Sequence, residues 1–208
     1  MLEIIKPMDI EKRSFEIITE LLGDTKIVPE NELVVKRVIH TSADFDYAQN
    51  LVFSEGAVAK GIEALRSGCD IVTDTQMARA GINKTILGKL GGEVHCFMSD
   101  PDVAAEARER GITRAIVSME KAATLEKPCI FAIGNAPTAL IAIKELMEAG
   151  KLHPALIIGV PVGFVNVVES KEEIIEANLA PYIVARGRKG GSNVAAAICN
   201  AMLYQITR

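Results

Sequence analysis

The chain has 208 residues, 49% of them hydrophobic and 24% charged, with a net charge of −4. That length suits one domain able to bury about 70% of the surface its unfolded chain exposes, and the composition excludes a disordered chain. The negative balance excludes a general basic face for nucleic acid, and with no apolar run of the ~20 residues that cross a bilayer and no signal-peptide pattern at Met1-Leu2-Glu3, a cytoplasmic protein off the membrane is expected.

The first predicted helix runs from about Asp9 to Leu22, with Asp9 as N-cap, Gly23 as C-cap and a buried stripe of Ile10, Ile17, Ile18 and Leu21. Ser14 falls within that stripe beside Arg13. A serine there either bonds back to the preceding turn, the commoner case, or points into a cavity. A second helix is read from Pro29 to about Thr41. Its Val34, Val35, Val38 and Ile39 would suit a strand, but Pro29-Glu30-Asn31-Glu32 puts proline and acids where a helix begins. On a helix Arg37 and His40 share a face, whereas on a strand they diverge. The stretch from Arg37 to Asp46 thus concentrates imidazole, guanidinium, hydroxyl and carboxylate groups around His40.

A regular alternation follows. A helix from Ser54 to Arg66 ends at Gly68 and leads into a strand, Cys69 to Thr73. Then come a helix beginning near Asn83, a strand from Glu93 to Phe97, and a helix capped by Asp100 with Pro101 in first position. A short strand near Thr113-Arg114-Ala115-Ile116 precedes another helix. Next are a buried strand from Pro128 to Ile133, a helix from Ala136 to Ala149 and a strand from Ala155 to Val160. A helix from Ser170 to Ala180, a strand from Tyr182 to Ala185 and a helix from Ser192 complete the chain. Short apolar strands separated by helices predict an α/β fold: one domain over residues 1–208, a three-layer α/β/α sandwich with a mostly parallel central sheet.

In such sheets ligands bind beyond the carboxyl ends of the strands. Those ends carry Asp74-Thr75-Gln76, Gly134-Asn135-Ala136-Pro137-Thr138, Gly159 to Phe164, and Arg186 to Ser192. Each leads toward a helix N-terminus, where free N–H groups favour an anion, so a multi-anion ligand is expected. The glycine loops match neither the P-loop nor the dinucleotide fingerprint. The plain alternative for Gly190-Gly191 is a tight turn with close packing.

His40 has the side chain whose ordinary pKa suits proton exchange near neutrality; the alternative is a helix histidine bonded to its surroundings. His95 reads as a half-buried packing residue and His153 as a partner for the end of the preceding helix. Neither shows a nearby acid and nucleophile that would suggest a hydrolase triad. Cys69, Cys96, Cys129 and Cys199 are far apart in apolar runs and read as buried reduced thiols, with no metal ligated by the protein.

Arg37-Val38-Ile39-His40, Ile133-Gly134-Asn135-Ala136-Pro137-Thr138-Ala139-Leu140, Gly159-Val160-Pro161-Val162-Gly163-Phe164-Val165 with Glu169-Ser170-Lys171, and Gly187-Arg188-Lys189-Gly190-Gly191-Ser192 occur in that order. Together they resemble the precorrin-8X methylmutase family of cobalamin biosynthesis, over essentially the whole chain. The resemblance implies an isomerase that moves a methyl group between neighbouring carbons of an anionic tetrapyrrole (corrinoid) macrocycle, giving hydrogenobyrinate or its cobalt-containing counterpart cobyrinate, with no cofactor. It implies that the methyl migrates by a sigmatropic shift helped by a proton on a ring nitrogen. His40 then matches the family's proton donor and acceptor, and Ser14 and Arg37 match its substrate contacts.

With this reading the substrate-binding set is Ser14, Arg37, Arg13, Thr41, Asp74, Gln76, Arg114, Asn135, Thr138, Gly163, Phe164, Lys171, Arg186, Gly190, Gly191 and Ser192. Arg188 and Lys189 add charge for the macrocycle carboxylates, and Val162, Phe164 and Val165 could pack on its ring face. Arg37 is expected to repel the imidazolium of His40 in the empty enzyme. Two departures stand out: Ala115-Ile116 follows Thr113-Arg114 where the family often has Ser-Ala-Ala, and Thr41 to Tyr47 looks more like the cobalt-first, anaerobic branch. A macrocycle is large for one such domain and the family's sites lie at a dimer interface, so a homodimer is expected. The competing readings are a non-catalytic corrinoid carrier and, more remotely, a phosphate or nucleotide binder using the late glycine loop.

Overall fold

The structure is a computed structural model that describes Lys6 and residues 9–207; Met1-Leu2-Glu3 lie outside the described residues. The elements in chain order are α1 Ile10–Leu22, α2 Glu32–Ser42, α3 Tyr47–Asn50, β1 Leu51–Phe53, α4 Ala57–Arg66, β2 Asp70–Thr73, α5 Gln76–Gly81, α6 Lys84–Lys89 and β3 Val94–His95. They continue with α7 Pro101–Arg110, α8 Arg114–Ala122, β4 Cys129–Ile133, α9 Pro137–Glu148, β5 Leu156–Gly159, α10 Val167–Ala177, β6 Tyr182–Ala185 and α11 Ser192–Thr207. The strands form one sheet in the order β1-β6-β5-β4-β2-β3, and only β1, paired to β6, runs antiparallel. The expected mostly parallel α/β sandwich is the fold found.

Period-two alternation along each strand divides the interior in two. Ile71, Ile130, Ala132, Ile158 and Ile183 face a core shared with α2, α4 and α11, whereas Val72, Phe131, Ile133, Ile157 and Val184 face one shared with α8, α9 and α10. Because both faces are covered, β2, β4, β5 and β6 are buried at every residue; β4, β5 and β6 read as continuous apolar runs, whereas β2 buries Asp70 and Thr73 at its ends. Small side chains such as Ala195, Ala196 and Ala197 are buried in α11, which packs against α2 and α4 as well as β4 and β5. α2 packs on α11, and α1 packs on α2.

Three sequence expectations need correction. Thr113 to Ile116 is not a strand: the Thr113 hydroxyl accepts from the Ile116 N–H at 3.4 Å and caps α8, so a β-branched residue serves as a helix start. Three short elements, α3, β1 and α5, lie outside the expected pattern because four, three and six residues carry too little periodicity to register. The α1 stripe is not buried as a whole. Ile18 is 6% exposed, but Ile10, Ile17 and Leu21 are 53%, 37% and 67% exposed, because a helix outside α2 meets the body of the protein along only one line.

The glycines of the late loop have a packing cause. A Cβ on Gly190 would lie 2.1 Å from the Val160 carbonyl oxygen, and Gly191 has φ +138°, a conformation that side chains rarely adopt. A Cβ on Gly134 would lie 2.7 Å from Ser192 Cα. Gly190→Ala should therefore destabilise the protein by about 1–3 kcal/mol, measured as a lower calorimetric melting temperature; an unchanged midpoint would mean that the loop yields freely.

Candidate active site

His40 lies exposed in the last turn of α2, and its Nδ1 is 2.8 Å from the Ser14 hydroxyl on α1. The Phe15 ring meets the imidazole edge-on with centroids 5.8 Å apart. Since Nδ1 is occupied, Nε2 is the ring nitrogen left for a ligand. A hydroxyl both donates and accepts, so Ser14 can stay bonded to Nδ1 whether or not that nitrogen carries the proton.

One helical turn back, Arg37 and Glu11 form a second pair, with Nη1 to Oε2 at 2.8 Å and Nη2 to Oε1 at 2.9 Å. The guanidinium lies over the rings of Phe15 and Tyr204, at 4.9 and 5.0 Å from their centroids. The expected uncompensated repulsion of the imidazolium by Arg37 is therefore not met: the Glu11 carboxylate neutralises it at contact distance. Glu11 was missed in the sequence, although it precedes Ser14 by three residues as Arg37 precedes His40. Nothing local signalled Tyr204, which comes from the far end of the chain.

The remaining expected residues gather on the carboxyl rim of the sheet. Asp74, only 1% exposed, accepts from the consecutive amides of Gly134, Asn135 and Ala136 at 2.8, 2.8 and 2.6 Å. Burial raises its pKa while the three N–H groups favour its charge. These amides precede α9, so the anion site expected there is filled by the protein's own carboxylate. Thr75 caps α5 through the Ala78 N–H, and its hydroxyl lies 2.7 Å from that of Ser192. Gln76 reaches the Cys96 carbonyl at 3.3 Å, and Thr138 touches Thr113 at 3.0 Å.

Arg114 and Asn135 are exposed on this rim, as is Arg186, whose Nε lies 3.2 Å from Glu172. Arg13 instead approaches Glu16 and Glu20 on its own helix, and Thr41 is exposed at the end of α2. Gly163 donates its N–H to the Arg188 carbonyl at 3.2 Å. Beyond it Val162, Phe164 and Val165 stand out at 48%, 84% and 78% exposure, an apolar edge on a polar rim. Lys189 joins the two halves of the site: its ammonium meets Asp44 and Asp46, just after His40, each at 2.6 Å.

The other histidines are arranged differently from each other. His95 is half-buried as expected and stacks on Phe97, but it does have an acid partner, Asp70, 3.0 Å from its Nε2. Asp70 also accepts from the Glu93 N–H, and its carboxyl is held below the usual range despite burial, chiefly by the bond to His95. His153 is exposed, and the end of α9 is met by backbone N–H groups rather than by its ring. All four cysteines are buried and unpaired, with burial pushing Cys69 up to about 12 and Cys129 to about 11.

With this geometry in place, the comparisons with known proteins agree. The family model described as precorrin-8X methylmutase matches residues 9–205. The chain is 47% identical to a cobalt-precorrin-8 methylmutase of Priestia megaterium, covering 95% of this chain and 88% of that protein. It is 46% identical to one of Salmonella typhimurium, covering 98% and 97%. The solved precorrin-8X methylmutase of Thermus thermophilus superposes with a TM-score of 0.87 at 38% identity, over 96% of this chain and 98% of that one.

Lys171 reports on the glycine loop. It is fully buried and donates to the carbonyls of Gly187 at 2.8 Å and Lys189 at 2.9 Å. Burial pushes its pKa from 10.5 down to about 8, so it is charged at neutral pH. Between those two values Lys171 is protonated in the unfolded chain and not in the folded one, so its own contribution to stability rises with pH through that window. Buried Cys69 and Cys129 contribute with the opposite sign above their ordinary range, so the lysine is read as a difference: denaturation curves taken across the window should show a more positive pH slope in the wild type than in Lys171→Met. Equal pH slopes would contradict the assignment.

Proposed function

The chain belongs to the precorrin-8X methylmutase family, isomerases of cobalamin biosynthesis, and we propose that it shifts a methyl group between adjacent ring carbons of cobalt-precorrin-8, with His40 as proton donor and acceptor. The observation that carries the proton role is the Ser14–His40 bond, which holds Nδ1 and leaves Nε2 for the substrate. A proton given from Nε2 to a ring nitrogen makes the conjugated macrocycle more electron-poor and helps the methyl migrate; the same nitrogen recovers the proton afterwards. The methyl never leaves the substrate, so no methyl-donating cofactor enters. The cobalt-containing substrate is favoured by the two relatives near half identity, both named for it.

In this reading the 208 residues act as one cytoplasmic domain. The exposed Arg114 and Arg186 meet substrate carboxylates, Asn135, Thr138 and Thr41 line the approach, and Phe164 with Val162 packs on the ring face. Asp74 and Lys171 brace the loops from within, since their polar atoms are already bonded to backbone. The glycine loop is a poor phosphate cradle, because Gly190 abuts the Val160 carbonyl and the Gly191 amide already donates to it. We further propose a homodimer whose partner covers Ile10, Ile17 and Leu21 of α1 together with Val28 and Leu33, which are 37–67% exposed.

Conversion is read from the change in the substrate's visible spectrum as the conjugated path lengthens. His40→Ala should retain binding and lose at least ~100-fold in turnover; unchanged turnover would refute the mechanism, and a wild type that binds product but converts nothing would favour the carrier. For the dimer, Leu21→Glu should shift the mass measured by light scattering from two chains to one, whereas an active wild-type monomer would refute it.

A further inference from the structure

We propose that Glu11 is a positioning residue for this reaction: by engaging both terminal nitrogens of Arg37 it sets the register of α1 on α2, and so holds the Ser14 hydroxyl against Nδ1 of His40. The proposal rests on the reading of His40 given above, but its structural half can be tested without that reading.

Glu11 and Ser14 stand three apart on α1, and Arg37 and His40 stand three apart on α2. Each cross-helix pair is separated by 26 residues, so the two helices run in the same direction and are joined by two rungs one turn apart. The rungs are unequal. The Ser14–His40 bond is open to water and joins an exposed histidine to a half-buried serine, so it is too weak to set a helix register. The Glu11–Arg37 rung is bidentate, which fixes orientation as well as distance, and it is shielded, with side-chain exposures of 33% and 11%. Packing holds α1 less firmly, because Ile18 is its only buried residue and Phe15 and Leu22 are only partly buried against the core. Arg37 also borders a cavity of about 480 Å³, with Phe15, Leu33 and Tyr204 among its walls, so its side chain has room to swing once Glu11 is removed.

The test uses the whole chain and begins without substrate. Among three histidines, the His40 ring nitrogens are identified in a ¹⁵N NMR spectrum by their loss in His40→Ala. Ser14→Ala moves those signals. The expected result is that Glu11→Ala moves them in the same direction although Ser14 is still present, with Glu11→Gln intermediate. Unmoved His40 signals in Glu11→Ala would overturn the proposal, and if that variant does not fold, Glu11→Gln carries the same comparison. In turnover, Glu11→Ala should lower kcat about 10- to 100-fold, the scale of a misplaced catalytic group, with KM within about threefold. The Glu11→Ala, Ser14→Ala double variant should be no slower than Ser14→Ala alone; multiplied losses would overturn the coupling. Shifted His40 signals with undiminished turnover would overturn the positioning role of Glu11 in the reaction, whereas the role of His40 itself stands or falls with His40→Ala.

Discussion

A single buried carboxylate governs the rim on which the site is built. Asp74 immediately follows β2, is almost wholly excluded from solvent, and gathers three consecutive amides from the turn between β4 and α9. Without it those donors would have no partner in the interior, and without them the charge would be expelled. The closed turn brings Gly134 against the Gly191-Ser192 backbone, and Ser192 reaches back to Thr75, next to Asp74. The loops at three strand ends thus form one braced unit. Lys171 does for the β6–α11 loop what Asp74 does for the β4–α9 turn, supplying a buried charge of the opposite sign to carbonyls rather than to amides.

A rim made this way is already satisfied internally, and that changes where substrate charges can be met. The amides before α9 and the buried lysine have their partners within the chain, whereas Arg114, Arg186 and Arg188 are exposed at the periphery and are the groups proposed to meet a carboxylated ligand. Apolar side chains standing clear of the surface at Val162, Phe164 and Val165 complement them. A flat macrocycle with charged side arms needs this arrangement: an apolar edge for its face and mobile cations for its periphery.

His40 is held by different means. It stands on α2, separated from the sheet by α11, and its hydroxyl partner is one layer further out on a helix with a mostly exposed apolar face. Packing density falls outward through these layers, so register has to come from directional contacts. The Glu11–Arg37 fork, Phe15 beneath it and the Lys189 clamp on Asp44 and Asp46 supply such contacts above and below the histidine. The same exposed face that weakens packing within one chain is available to a second copy.

Much of this was legible in the chain before folding was considered. Strands covered on both faces of a parallel sheet are mostly apolar, so β4, β5 and β6 announced themselves, and helix starts at Pro101 and Ser192 followed from backbone chemistry that acts within one turn. The pairing of Arg37 with His40 on one helical face was likewise a local matter. Charge compensation was not. That Asp74 and Lys171 turn inward, that Glu11 neutralises Arg37, and that Asp70 meets His95 depend on contacts between residues 16 to 62 positions apart. A side chain's type states which partner it needs; only the packed layers decide whether that partner is a neighbour's backbone, another side chain or a substrate.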